Sequence, residues 1–182
     1  MKKTPTQKAF GIIEVLIAAA IISVVLVSTS ILGRNVLAGG QRLENRTKAM
    51  YLAQEGIELT RQIRDTNKLR DSNWDDFQLN TTHLASYVNT NGLVSGRLTY
   101  DIALRRYQFV QGSAETITVG SVAFVRTIIF EKAQTDTTSG ILQGISNPNE
   151  SAIKVTIKVT WDNGRSNFEI SEILTNWNLP TP

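Results

Sequence analysis

The chain has 182 residues, no cysteine, one histidine (His83) and a formal net charge of +3 from 19 Lys+Arg against 16 Asp+Glu. The absence of cysteine excludes disulfides, thiolate metal sites and cysteine nucleophiles, and a lone histidine excludes an H-x-x-H metal motif. At 41% hydrophobic residues the chain is too apolar for a disordered polymer and too polar for a polytopic membrane protein, and its length suits one domain with an appendage.

The charge is unevenly placed. Lys2, Lys3 and Lys8 precede Phe10 without an acid among them, and from Phe10 onward 16 basic residues balance 16 acidic ones. The body of the protein therefore offers no net basic face for nucleic acid, and the excess reads as a topological signal. Residues 34–70 carry +4 (eight basic, four acidic) and residues 71–182 carry −3 (eight basic, eleven acidic), with Glu14 supplying the remaining −1.

Residues 15–33 form a run of 19 without a charge, long enough to cross a bilayer core as a helix. A cleaved secretory signal has a shorter apolar core and a small-residue cleavage site; here Ser28, Ser30 and Gly33 are weak sites and the pattern runs on as helix. The three lysines ahead of the span predict a cytoplasmic N-terminus, with the rest of the chain outside. Glu14 is the anomaly. An ionisable group inside a membrane helix costs on the order of 2.5–3.5 kcal/mol and normally has a partner.

Helical patterning continues beyond the span. No proline occurs from 34 to 69, Val36, Leu43, Met50 and Ile57 recur every seven residues, and Leu52, Leu59 and Ile63 flank that face. Glu44/Lys48, Glu58/Arg61 and Arg61/Asp65 have the spacing of pairs across one turn. A helix over 10–69 would be roughly 90 Å long at about 1.5 Å per residue. Gly39-Gly40 and Gly56 are the expected weak points. Ala19 and Ser23 make a small-xxx-small pair, a weak signal for close helix approach.

The segment Lys8-Ala9-Phe10-Gly11-Ile12-Ile13-Glu14-Val15-Leu16-Ile17-Ala18 resembles the prepilin signal of type IV pilins and type II secretion pseudopilins: a short basic leader, a small residue, Phe, and an acid four positions on. The resemblance implies cleavage by a prepilin peptidase between Ala9 and Phe10, methylation of the new Phe10 amine, and an assembly role for Phe10 and Glu14. It implies other pilin or pseudopilin subunits, the inner-membrane assembly platform and membrane lipid as partners. No cofactor, metal or catalytic residue is implied, and the absence of a convergent acid, base and nucleophile argues against an enzyme. The family more often has Gly where Ala9 stands. A second stretch, Tyr51-Leu52-Ala53-Gln54-Glu55-Gly56-Ile57-Glu58-Leu59-Thr60-Arg61-Gln62-Ile63-Arg64-Asp65, looks like a segment of PilV-like minor pilins. The missing helix-kinking proline and missing Cys pair depart from well-known major pilins. The competing readings are a single-span anchored binding domain that never polymerises, and a DNA-uptake pseudopilin.

Beyond residue 69 the texture is polar and turn-rich. Asp71-x-Asn73-x-Asp75 resembles the start of a calcium loop, but Asp76 and Thr82 stand where Gly and Glu are required, so a helix-terminating loop plugged by Trp74 is the stronger reading. Residues 78–96, with His83, read as an exposed loop, the first place to look for a ligand. Leu98, Tyr100, Ile102 and Leu104 alternate as a strand; the phase breaks at Arg105-Arg106, read as a solvated kink rather than a DNA contact, and resumes at Tyr107 and Phe109. Val122, Phe124, Ile128 and Phe130 mark another strand. Ile153, Val155, Ile157, Val159 and Trp161 alternate with polar residues and lead into Asp162-Asn163-Gly164-Arg165, a type I′ hairpin signal. That register sets Val159 against Phe168 and Ile157 against Ile170. It also sets Val155 against Glu172, so a bulge near Ser171–Glu172 that turns Ile173 inward is expected.

The predicted fold is α+β, a long N-terminal helix packed by an antiparallel sheet. Its parts are a leader over 1–9, a membrane half over 10–33, an extracytoplasmic half over 34–70, and a β-rich head over 71–182 with a hairpin over 153–177.

Overall fold

The computed structural model describes residues 11–77, 84–133 and 152–176. The fold is α+β. Helix α1 (Ile12–Leu69) is followed by α2 (Leu84–Asn91) and by strands β1 (Leu93–Asp101), β2 (Arg106–Gln111), β3 (Glu115–Val119), β4 (Val122–Lys132), β5 (Ile153–Trp161) and β6 (Ser166–Leu174). The chain divides into two compact units, Met1–Glu44 and Asn45–Pro182, and α1 contributes to both.

In the first unit α1 is the only described element. Gly11 carbonyl accepts from the N–H groups of Glu14 and Val15 and so opens the helix. Its apolar side chains, from Ile12 to Leu43, are exposed, and none in its most hydrophobic eighteen-residue window is buried. The hydroxyls are nonetheless satisfied: Ser23, Ser28, Thr29 and Ser30 each donate to the carbonyl four residues earlier. Such back-bonding is how a hydroxyl lives on a helix surface without water. It commits the Ser23 hydroxyl hydrogen to Ala19, within the small-residue pair itself.

In the second unit, residues 45–69 of α1 pack on an antiparallel sheet. The strand order is β2-β1-β4-β5-β6, and β3 also pairs with β4. Ala49, Ala53, Ile57, Ile63, Trp74, Phe77, Leu84, Val88, Phe124, Phe130, Val155 and Ile157 belong to one core shared by helix, loop and sheet. Edge-to-face rings at Phe77–Phe130 and Phe109–Phe130 (both 5.1 Å between centroids) tie the post-helix segment to β2 and β4. Of the heptad residues, Ile57 is buried and Met50 half-buried, whereas Val36 and Leu43 are exposed.

Helix α1 ends in a Schellman arrangement. Asp71 is left-handed (φ 59°), its N–H donates to Lys68 carbonyl, and Ser72 N–H donates to Asn67 carbonyl at 2.9 Å. Asn67 then holds the returning chain by donating its side-chain amide to Asp76 carbonyl at 2.8 Å, and Trp74 is buried behind it. The expected helix-terminating loop is thus realised, with Asp71 spent on the cap.

Several expectations are corrected. Within the stretch read as an exposed loop, residues 84–91 are helical and β1 begins at Leu93, with Leu84 and Val88 buried in the core. The polar composition masks an i, i+4 apolar pair closed by left-handed Gly92 (φ 82°), which donates to Val88 carbonyl. His83 lies outside the described residues. The second correction is at the C-terminal hairpin. Val159↔Phe168 and Ile157↔Ile170 pair as the turn signal predicts, but the ladder runs unbroken through Val155↔Glu172 to Ile153↔Leu174. There is no bulge, and Ile173 faces solvent. Glu172 remains on the helix-facing side because Arg61 of α1 meets it there.

The β5–β6 turn carries three consecutive left-handed residues, Asp162, Asn163 and Gly164, with Arg165 N–H donating to Asp162 carbonyl at 3.1 Å. The strand expected to run through Ile102 and Leu104 ends instead at Asp101: residues 102–105 form a turn, which Asp101 caps by accepting from the N–H groups of Ala103 and Leu104. Arg105 there is left-handed and exposed, but Arg106 opens β2 and is half-buried, so only the first of the pair is the solvated residue expected.

Candidate functional site

The residues with the strongest sequence signal lie at the start of the chain. Lys2, Lys3, Lys8, Ala9 and Phe10 are outside the described residues. Glu14 falls in the first turn of α1, exposed, between Ile13 and Val15, which are exposed as well. A carboxylate in a helix's first turn faces unpaired backbone N–H groups, a favourable place for negative charge. On the helix side it is surrounded by apolar groups.

A second constellation holds α1 to the sheet, and it draws on Leu52, Glu55, Gly56 and Arg61 of the stretch 51–65. Gly56 lies against Ile157 of β5: a Cβ there would stand 2.9 Å from Ile157 Cγ2. It is a point of close approach, not a weak point. Beside it, Arg126 of β4 is only 4% exposed and donates four hydrogen bonds to three acceptors. Its Nη1 reaches Leu52 carbonyl and Glu55 Oε2, each at 3.0 Å; Nε and Nη2 reach Glu115 Oε2 at 3.0 and 2.6 Å. One turn further on, Arg61 meets Glu58 on its own helix and Glu172 on β6, with Nε–Oε1 at 2.9 Å and Nη2–Oε2 at 2.7 Å. The bidentate hydrogen bonding to Glu172 raises the Arg61 pKa above its ordinary value, against partial desolvation and with help from Glu58. The expected Arg61/Asp65 pair does not form; Asp65 meets Arg64 instead.

Sequence reading missed Arg126, because a charged residue within an apolar strand resembles an outward-facing position. The available signal was phase. Phe124, Arg126, Ile128 and Phe130 share one parity, so an arginine among them must face the core. No trio of metal-ligating side chains occurs among the described residues. These clusters dock one element on another; none brings together an acid, a base and a nucleophile around a cleft.

Residues 4–30 match the protein family described as the prokaryotic N-terminal methylation motif. No curated protein and no solved structure matches the chain. The chain carries a type IV pilin-like prepilin signal running into one helix long and apolar enough to cross a membrane. Together these features fit a pilin or pseudopilin, a structural subunit with a single-pass inner-membrane anchor.

Proposed function

We propose that this chain is a minor, PilV-like pilin or pseudopilin of a type IV pilus-like filament. The observation that carries the proposal is the methylation motif over 4–30 leading into an uncovered apolar helix whose first turn holds Glu14. Lys2, Lys3 and Lys8 keep the N-terminus in the cytoplasm, the 10–33 segment spans the membrane, and the head lies outside. A prepilin peptidase cuts between Ala9 and Phe10 and methylates the new amine. In the bundle, Glu14 of one subunit pairs with the Phe10 amine of the next. Either charge is costly to desolvate alone, so pairing penalises wrong registers. The assembly platform draws subunits from lipid into the filament. The PilV-like assignment is supported by the role of Glu55, Gly56, Glu58 and Arg61 in docking helix to sheet, which gives that stretch a reason for its composition.

The test is to express the full chain with and without a prepilin peptidase and determine the N-terminus by mass spectrometry. A product starting at methylated Phe10 is expected only with the peptidase. An intact leader in its presence would leave the chain as a non-polymerising anchored domain.

A further inference from the structure

The arginines of the second unit divide by burial. Among the described residues four are buried or half-buried: Arg61, Arg64, Arg106 and Arg126. Three of them meet carboxylates, Glu58 and Glu172 for Arg61, Asp65 for Arg64, and Glu55 and Glu115 for Arg126. Arg106 meets none, and its Nε is a buried nitrogen without an acceptor. The carboxylate opposite it in the β1–β2 ladder, Asp101, is already engaged by the N–H groups of Ala103 and Leu104 and by the Gln108 amide. A partly desolvated guanidinium without an anion is a costly arrangement to leave unanswered.

Arg106 lines a cavity of about 150 Å³ between the last turns of α1 and the β1–β2 hairpin. Gln62, Thr66 and Arg105 add polar groups to its wall, and none of their side chains hydrogen-bonds another described residue. Tyr100 and Tyr107, edge to face at 5.1 Å, make the aromatic side. A cavity of this volume accommodates benzene in a protein interior. A glutamate side chain has fewer non-hydrogen atoms than benzene and fits. Two apolar side chains stand on the turn that carries Arg105 into the wall: Ile102 is 83% exposed and Leu104 47% exposed. Two guanidinium groups, a free amide and a free hydroxyl around a pocket, with exposed apolar side chains on the adjoining turn, match an acidic side chain flanked by apolar neighbours.

We propose that this pocket is a docking site for an acidic side chain of a protein partner, with Arg106 as the anchoring cation and Ile102 and Leu104 as the apolar contact. The inference does not depend on the filament reading, since it rests on the second unit alone. The test uses the full chain in detergent micelles with its tyrosines isotope-labelled for NMR. Acetyl-Leu-Glu-Leu-amide should shift the Tyr100 and Tyr107 ring signals saturably, and acetyl-Leu-Gln-Leu-amide should not. Arg106→Gln should weaken binding at least about tenfold, as loss of a charged hydrogen bond does. Gln62→Glu, nearly isosteric and so safe for folding, would place a carboxylate at the pocket from within the chain. It should abolish peptide binding and raise the thermal midpoint. Equal binding of the two peptides, no binding of either, or full binding by Gln62→Glu would overturn the proposal. Binding of propionate as tight as that of the glutamate peptide would overturn the protein partner and leave a small-acid site.

Discussion

Single residues in this chain carry charge into places where charge is expensive, and each has a different solution. Arg126 is solved internally, with four hydrogen bonds to three acceptors from a guanidinium 4% exposed. Its partners are less enclosed, Glu115 at 31% and Glu55 at 55% side-chain exposure. Removing the two ends of this contact should therefore not cost the same. Arg126→Met leaves carboxylates that can reach water and should lower stability by about 1–2 kcal/mol, whereas Glu115→Leu takes two of four hydrogen bonds from a buried cation, leaving it Glu55 and the Leu52 carbonyl, and should cost about 3 kcal/mol. Urea unfolding of the two variants measures the difference; equal losses would mean that the arginine is better hydrated than its burial indicates. The Arg61–Glu172 pair has a simpler pH signature. Because the Arg61 pKa is raised, its stabilisation is complete below the ordinary arginine range and is lost only as pH climbs above it, so the arginine adds no pH dependence near neutrality. Glu14 is the residue whose solution lies in another subunit under the proposed function. Glu14→Val should leave cleavage before Phe10 intact and sharply reduce incorporation into filaments, read by immunoblot of sheared filaments against whole cells. Incorporation at the unsubstituted level would remove the pairing mechanism.

At the scale of elements, α1 shows that the same residue type can mean opposite things. Gly39 and Gly40 have nothing within 4 Å of a would-be Cβ, whereas Gly56 meets fully buried Ile157. Gly→Ala in an open helix gains roughly 1 kcal/mol, and overpacking a closed contact costs about 1–3 kcal/mol. Gly39→Ala and Gly40→Ala should therefore slow amide exchange around residue 40, while Gly56→Ala should lower the thermal midpoint despite its better helix propensity. A rise in that midpoint would mean that helix and sheet have slack between them. Sequence periodicity cannot separate these glycines, because what distinguishes them is a strand about a hundred residues later. The same limit explains the missing bulge. Glu172 breaks the apolar alternation of β6, and only Arg61, 111 residues earlier, makes its inward direction tolerable. Local signals were sufficient where the interaction itself is local. The β5–β6 register followed from one turn, and the uncharged span from composition. Short α2 was lost because eight residues with two core contacts hardly alter the texture of a polar stretch.

For the whole molecule, the distribution of burial is the organising fact. Among the described residues every buried apolar one, from Ala49 to Leu174, lies in the second unit, and the exposed apolar side chains of the first unit begin at Ile12. The second unit therefore contains its own core, and a chain limited to residues 45–182 should be soluble and unfold cooperatively on its own. A molten product, with helical far-UV signal but no cooperative melt, would show that residues before 45 contribute to the head's stability. The absence of cysteine acquires a structural counterpart here. The helix is fastened to the sheet by Arg126, Arg61 and the Gly56–Ile157 contact, fastenings indifferent to redox state.

The four hydroxyls turned back onto their own helix in the first unit have a mechanical meaning. A span that has already satisfied its donors breaks no hydrogen bond when it leaves lipid and needs none on arrival among other helices. Its passage in either direction exchanges one set of methyl groups for another, at little net work. In the proposed filament, travel into the shaft and travel back to the bilayer would then be nearly balanced along the length of the span. Glu14 alone would favour one end point, acting as a latch on an otherwise freely sliding bolt.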